Sequence, residues 1–373
     1  MSRLRGHAER TPGGSPAPPA SHAVGTAPDV RRPAPSLPAD RIVSIDVIRG
    51  VAIAGILLIN ISYFVSRAGQ SPASSGIDAV IWQVVDVLAL GKFHFVFAFL
   101  FGTGVFIFLS RLRTKGRSRW VYIRRMIILM MAGVLNSALG GIDVLTSYGA
   151  LGMLLLLLVF LPGSVLLTVA VVAAIGPDAL ALLTAAGGAG PDLPPALMLL
   201  LEFGRTLGHM TLGYCLAERG LFAVRTRIPV KAVFAISLVV SVPICVWTVV
   251  TGTGTELAHE ITFRTAMIPG LLYISGLVLV LQQPRARQGL SFLRFYGRMA
   301  FSNYLGQTVI CVIVLPPFVT SGHVSAVLAL GFCLVVIVLQ CVFSVLWLQW
   351  FRYGPLEWVW RCGTYLELTP LLR

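Results

Sequence analysis

Glu202, Arg205 and His209 stand at i, i+3 and i+7 in the apolar run LLLEFGRTLGHMTLGY. At 3.6 residues per turn they fall within one narrow arc of a helix. Three ionisable groups on one stripe of a membrane helix cannot face lipid, so they face protein or water. The stripe is either a mutually satisfied structural network or the wall of a polar tunnel or proton path. A second group lies in RIVSIDVIRGVAIAGILLINI, where Asp46 and Arg49 are three apart and able to pair. Asn60 follows eleven residues after Arg49, close to three turns and about 16 Å along the axis. The pair reads either as an ion pair snorkelling at a membrane edge or as an anion contact at the mouth of a polar cavity. His94, two residues after Lys92 in GKFHFVFAFLFGTGVF, exchanges protons near neutrality and suits a general base toward a hydroxyl or amine; the plainer reading is an interfacial histidine. Asn303 and Gln307, four apart in GRMAFSNYLGQT, share a helix face, either joining helices or hydrogen-bonding a polar substrate. Asp143, in GGIDVLTSYG, caps a helix or orients His94, capping being the simpler role.

The elements that must position these residues follow from composition. The 373 residues are 56% hydrophobic and 12% charged, with mean hydropathy +0.84, whereas a soluble domain carries about 25% charged residues. Apolar runs at roughly 43–66, 92–112, 120–140, 146–162, 164–184, 196–217, 230–251, 265–283, 298–318 and 324–350 predict an all-α, polytopic transmembrane bundle of about ten spans. The shorter stretch 78–91, with Asp78 and Asp86, reads as an amphipathic or re-entrant helix. Residues 1–40, rich in Pro, Ala, Gly, Ser and Arg, predict a disordered cytoplasmic tail, and 366–373 a short C-terminal tail. FRYGPLEWVWR at 351–361 mixes aromatic and charged residues and suits the membrane interface, with Pro355 starting a short helix.

The net charge of +14 does not indicate nucleic acid, because the basic residues sit in a few loops between apolar runs rather than on a soluble module. Arg113, Lys115, Arg117, Arg119, Arg219, Arg225, Arg227, Lys231, Arg285, Arg287, Arg294, Arg298, Arg352 and Arg361 alternate with loops holding Asp143, Asp192, Glu256 and Glu260. That asymmetry places both termini in the cytoplasm, with Arg67 and Arg264 as the basic exceptions outside, and predicts a multi-pass plasma-membrane protein. Six cysteines with no CxxC pair read as helix-packing residues, and no metal site is expected. Gly50 and Gly55 allow close approach of a neighbouring helix, and Gly102 and Gly104 suit packing rather than phosphate binding.

IDVIRGVAIAGILLINI, KFHFVFAFLFGTGVF, the basic loop ending Arg124-Arg125, GIDVLTSYGALG and GRMAFSNYLGQT followed by FRYGPLEWVWR resemble, in this order, the DUF418 (YeiB-like) membrane proteins, over roughly residues 41–365. That family looks like a branch of the wider transmembrane acyltransferases, which include the acyltransferase-3 and lysosomal heparan-sulfate N-acetyltransferase proteins. The resemblance implies a bundle that takes an acyl group from cytoplasmic acyl-CoA and passes it to a polar small-molecule, glycan or lipid acceptor at or across the bilayer. Arg49 matches a first-span Arg of the acyltransferase-3 branch, and Asn60 stands where that branch has its catalytic His; the heparan-type branch is similar in having Asn there. On this reading Arg49, Arg124, Arg125 and Arg298 suit CoA phosphates. A channel passes Arg205, Asn303 and Gln307, His94 or His209 acts as base, and Asn60 polarises the thioester carbonyl.

A transporter or flippase of a small polar or lipid-linked solute would use the same glycines and the Glu202–Arg205–His209 stripe. A non-catalytic partner protein would use the polar residues only to join helices. An enzyme needs one continuous cavity joining Arg49 or Arg298 to His94; a transporter needs a site closed at one end.

Overall fold

The computed structural model describes residues 39–69, 71–72, 76–186, 194–222, 228–252, 256–318 and 323–373. Nearly all of the N-terminal tail, and Asp192, Arg225 and Arg227 of the loops, lie outside them. The chain opens with α1 (Ala39–Arg67), α2 (Gly76–Ala89), α3 (Lys92–Thr114), α4 (Trp120–Ala138) and α5 (Leu145–Leu158). It continues through α6 (Gly163–Ala186), α7 (Pro195–Glu218), α8 (Val230–Thr251), α9 (Glu256–Arg264) and α10 (Met267–Val280). It ends with α11 (Pro284–Gly289), α12 (Ser291–Arg298), α13 (Ala300–Val314), α14 (Ala326–Trp350) and α15 (Pro355–Tyr365). Among the described residues, β structure is confined to a two-residue parallel pairing of β1 (Ser71–Pro72) with β2 (His323–Val324) and one bridge, Phe351 with Leu372.

The helices expose apolar side chains that a soluble protein would bury. On α8, Ser237, Ser241 and Thr248 are buried while Ile236, Val239 and Val250 are 65%, 70% and 79% exposed. Water would penalise that arrangement at every exposed valine, and a lipid surround removes the penalty. Six helical stretches are long and apolar enough to cross a membrane, or seven if α9 and α10, bent by 41°, count as one. The chain is therefore an integral membrane protein. All ten apolar runs form helices, but they are not ten equal crossings. α5 and α13 are shorter apolar helices, and α7 bears Glu202, Arg205 and Glu218 and stands outside the six. The run 298–318 breaks at Met299 between α12 and α13. The stretch 78–91 is a separate helix, α2, turned into α3 at Gly91, whose φ of 74° is open to glycine without strain.

Two backbone-to-backbone crossings hold the centre. Where α3 meets α7, a Cβ on Gly102 would strike the Met210 carbonyl, and one on Gly213 would strike the Phe99 carbonyl. The contact is reciprocal, and Thr103 Oγ1 adds a hydrogen bond to Gly213 O at 3.2 Å. Where α1 meets α12, Gly50 faces Leu293 O and Gly297 faces Asp46 O in the same manner. Without a hydrophobic drive between helices in lipid, such close approach supplies the dispersion contact that joins them. Gly55 instead seats the Phe93 ring.

Asn303 and Gln307 join helices. Asn303 Nδ2 donates to Tyr296 O at 3.0 Å and Ser344 Oγ at 3.1 Å, Gln307 Nε2 to the Tyr296 hydroxyl at 2.9 Å, and Gln340 Nε2 to Asn303 O at 2.9 Å. This buried network ties α12, α13 and α14 together.

The crossing gives a direct expectation. Gly102→Leu forces a side chain into the Met210 backbone and lowers stability by about 3 kcal/mol. Gly104→Ala, with no atom within 4 Å of its new Cβ, leaves stability within about 0.5 kcal/mol. Unfolding in detergent, followed by tryptophan fluorescence, separates the two.

Candidate functional site

The α3–α7 crossing brings both histidines to one cavity. It has a volume of about 230 Å³, and its wall includes His94, Asp143, Tyr148, Glu202, Arg205 and His209. His94 Nδ1 and His209 Nε2 are buried and have no hydrogen-bond partner among the described residues. His209, 5% exposed, meets the Phe95 ring edge-on at 4.9 Å. Such nitrogens cost free energy unless a ligand or water meets them. Asp143 Oδ1 accepts the Thr146 N–H at 3.0 Å at the start of α5, so it caps that helix while facing the cavity.

Behind this cavity the Glu202 stripe is part of a larger ion network. Arg205 Nη2 donates to Glu202 Oε2 at 2.5 Å, and Asp178 of α6 lies 3.6 Å from both Arg205 Nη1 and Arg264 Nη1. Arg264 of α9 also pairs with Glu202 and, at 2.9 Å, with Glu260. The Arg205 guanidinium sits 4.5 Å over the Phe263 ring. Arg264, a basic exception in the loop charges, is thus neutralised by three carboxylates, as a cation in a low-dielectric surround requires. Sequence reasoning missed Asp178, whose signal was a lone acid after Pro177 in an apolar run, and gave Arg264 no partner.

The second cavity is larger, about 400 Å³, with Asp46, Arg49, Arg111, Arg125, Arg298 and Arg361 in its wall. Aromatic rings line the rest, among them Phe97, Phe101, Phe108, Tyr122, Trp360 and Tyr365. Of its five arginines only Arg49 makes an ion pair among the described residues, to Asp46 at 3.1 Å. Arg125 is held between aromatic faces, 3.6 Å over Trp360 and 4.9 Å over Phe108. Arg361 lies 4.9 Å over Tyr353 and 5.1 Å over Tyr365, and its Nε is buried without a hydrogen-bond partner among the described residues. A cation over a ring keeps its charge unspent toward a second partner. Gly104 opens into this cavity, so it is a space-maker where packing was expected.

α15 forms one wall of the arginine cavity. Glu357 Oε1 accepts the backbone N–H groups of Phe301 at 2.8 Å and Ser302 at 3.1 Å, and Oε2 accepts the Ser302 hydroxyl at 2.5 Å. Burial pushes its carboxyl above the ordinary glutamate range, and these hydrogen bonds pull the other way. The carboxylate serves the first turn of α13 as a cap from another helix.

The sequence-derived residues therefore divide. His94, His209, Glu202, Arg205 and Asp143 share the histidine cavity, and Asp46, Arg49, Arg125 and Arg298 share the arginine cavity. Asn60, Asn303, Gln307 and Arg124 line neither; Arg124 Nε donates to Thr364 O at 3.2 Å. His94 and Arg111, on opposite cavities, are seventeen residues apart on α3, about 25 Å along the axis. The cavities are not one continuous lumen, so the single cavity expected to join Arg49 or Arg298 to His94 in an enzyme is not present among the described residues, and the two are closed from each other as the transporter reading expected. They meet at Tyr148, which lines both. No spacing rule on the sequence singles out this tyrosine.

The ion network gives the second expectation. Asp178→Ala withdraws a carboxylate that is 9% exposed from two buried arginines and costs about 3 kcal/mol. Glu260→Ala removes one that is 38% exposed and costs about 0.5 kcal/mol. Thermal unfolding in detergent checks both.

Residues 216–367 match the family model described as Protein of unknown function (DUF418). The chain is 29% identical over 352 residues to an uncharacterized 39.9 kDa protein in the amylase 3′ region of Bacillus acidopullulyticus, covering 89% of this chain and 96% of that one. It is 27% identical over 406 residues to the uncharacterized protein YxaH of Bacillus subtilis, covering 91% and 98%. It is 29% identical over 403 residues to the uncharacterized protein YeiB of Escherichia coli, covering 89% and 98%. No solved structure matches the chain. The resemblance read from the sequence is matched by these comparisons: this integral membrane protein is similar to the DUF418 family model over residues 216–367 and to YeiB and YxaH along most of its length.

Proposed function

We propose that the protein is a transmembrane acyltransferase that takes acyl-CoA into the arginine cavity and a polar acceptor into the histidine cavity. One observation carries this reading: five arginines, four of them without a carboxylate partner among the described residues, surround an aromatic-lined cavity. That wall suits an anionic donor with an apolar arm. Arg49, Arg111, Arg125, Arg298 and Arg361 attract the phosphates, and the rings pack against the arm. The acyl end points toward Tyr148, whose ring separates the two cavities and has to swing aside for the acceptor to reach the thioester. On the far side, His94 or His209 takes the proton from the acceptor hydroxyl or amine. The new bond forms at the thioester carbonyl carbon, and the thiol of CoA leaves with that proton. Asn60, Asn303 and Gln307 support the helices rather than touching substrate. The charge asymmetry of the loops supports an arginine cavity at the cytoplasmic face of a plasma-membrane bundle of about ten spans, with both termini inside and the tails flanking a 41–365 domain.

A second reading, a transporter, is favoured by the break between α9 and α10 and by two cavities separated by one wall. Uptake of a solute into proteoliposomes without covalent change would select it.

The purified protein is expected to bind acetyl-CoA, measured by isothermal titration. Arg125→Ala weakens binding about tenfold or more, as loss of a charge-assisted contact requires. Gly104→Leu abolishes it by filling the cavity while the protein still elutes as folded on size exclusion. Absence of binding by the unaltered protein overturns the proposal. Cysteines placed at residues 116 and 291 are expected to react with impermeant maleimide only in inside-out vesicles, which checks the orientation.

A further inference from the structure

Tyr148 has an unusual position in the fold. It is 4% exposed, yet it lines both cavities. Its ring packs on the arginine side, with centroids 5.6 Å from Phe97 and 5.3 Å from Phe101, both walls of that cavity. Its hydroxyl points the other way and donates to the backbone carbonyl of His94, a wall of the histidine cavity. That bond is 3.4 Å long, against about 2.7–2.8 Å for an ordinary O–H···O bond, so it tethers the ring weakly. Two neighbouring helices leave the tyrosine as the plug: α3 presents Phe97 and Phe101 to one cavity and His94 and Ala98 to the other, and α5 presents Leu145 to one and Ser147 to the other.

We propose that Tyr148 is the specificity-determining end wall of the donor cavity: its ring limits how long an acyl chain the arginine cavity accepts. The inference rests on the acyl-CoA reading and deepens it. From Arg111, at the charged end, to Phe97, against the Tyr148 ring, α3 runs fourteen residues, about 21 Å. That depth holds an extended pantetheine arm and a short acyl group, and the next methylenes meet the tyrosine ring. A smaller side chain at 148 joins the two cavities into one lumen and admits a longer chain. A larger one shortens the pocket. Phenylalanine keeps the wall and removes only the weak hydrogen bond.

The test is a size series at one position, Tyr148→Trp, Tyr148→Phe, Tyr148→Leu and Tyr148→Ala, with dissociation constants measured for acetyl-, butyryl- and octanoyl-CoA. Acetyl-CoA is expected to bind the Phe, Leu and Ala variants within about twofold of the unaltered protein. The Leu and Ala variants are expected to gain octanoyl-CoA relative to acetyl-CoA by about tenfold, as added pocket space gives for several methylenes. The Trp variant is expected to lose butyryl-CoA by a similar factor, and the Phe variant to keep the original profile. An unchanged chain-length profile across the series, with acetyl-CoA still bound, overturns the role of Tyr148 and leaves the acyl-CoA reading standing. Equal loss of all three ligands in the Leu and Ala variants marks a merely structural residue and also overturns it. Failure of the unaltered protein to bind any of the three overturns both.

Discussion

The crossing of α3 and α7 at Gly102 and Gly213 is the contact on which the rest of the structure depends. Each glycine lets the other helix's backbone come so near that no side chain fits between them. This pins the stripe of α7 that bears Glu202, Arg205 and His209 against the first two turns of α3, where His94 lies. Side chains of ordinary size would hold two helices 8–10 Å apart, and at that distance the imidazoles and the guanidinium would not line one cavity of about 230 Å³. The position of the histidines is therefore a packing result before it is a chemical one.

The two cavities handle buried charge in opposite ways. Around the histidines, two arginines face three carboxylates, Asp178, Glu202 and Glu260, on three helices. Every cation there has a counter-ion, as a low-dielectric surround demands, and the buried polar atoms left without a hydrogen bond among the described residues are His94 Nδ1, His209 Nε2, Arg205 Nε and Asp178 Oδ1. Around the second cavity the cations rest on rings. Arg125 between Trp360 and Phe108, and Arg361 over Tyr353 and Tyr365, are stabilised by face contacts that leave their outer edges free. The first arrangement pairs its cations with carboxylates, and the second leaves four of its five arginines without one among the described residues.

Much of this was legible in the sequence because it is local. The i, i+3, i+7 spacing fixed which face Glu202, Arg205 and His209 share, and the three-residue spacing of Asp46 and Arg49 fixed their ion pair. The helix beginning at Pro355 and the helical character of every apolar run followed from composition and periodicity. The partners of those faces were not legible, because they come from remote segments. Nothing near Asn303 in the chain names Ser344 or Gln340, and nothing near Arg264 names Asp178, eighty-six residues earlier. Span number is not fixed by apolar runs for a related reason: apolar length sets whether a helix forms, but breaks at Met299 and after Arg264 come from how the pieces pack. Tyr148 escaped altogether, since a tyrosine in an apolar run is ordinary until two cavities are seen to share it.

The C-terminal helix shows how a locally interfacial segment becomes part of a site. Taken alone, FRYGPLEWVWR satisfies the rules for a membrane-surface anchor, with tryptophans and arginines at the level of the headgroups. In the fold its polar side turns inward. Glu357 holds the first turn of α13, Trp360 donates from Nε1 to Arg125 O at 2.9 Å, and Arg117 reaches Glu367 at 3.3 Å beyond the helix end. One tryptophan therefore does two things at Arg125: it bonds the backbone and lays its ring beneath the guanidinium. The orientation of that arginine toward the cavity depends on the docking of α15 and not on α4 alone. A chain ending before Pro355 would retain the apolar helices but lose the ring face under the cation, and with it the charge arrangement that distinguishes this cavity from an ordinary gap between helices.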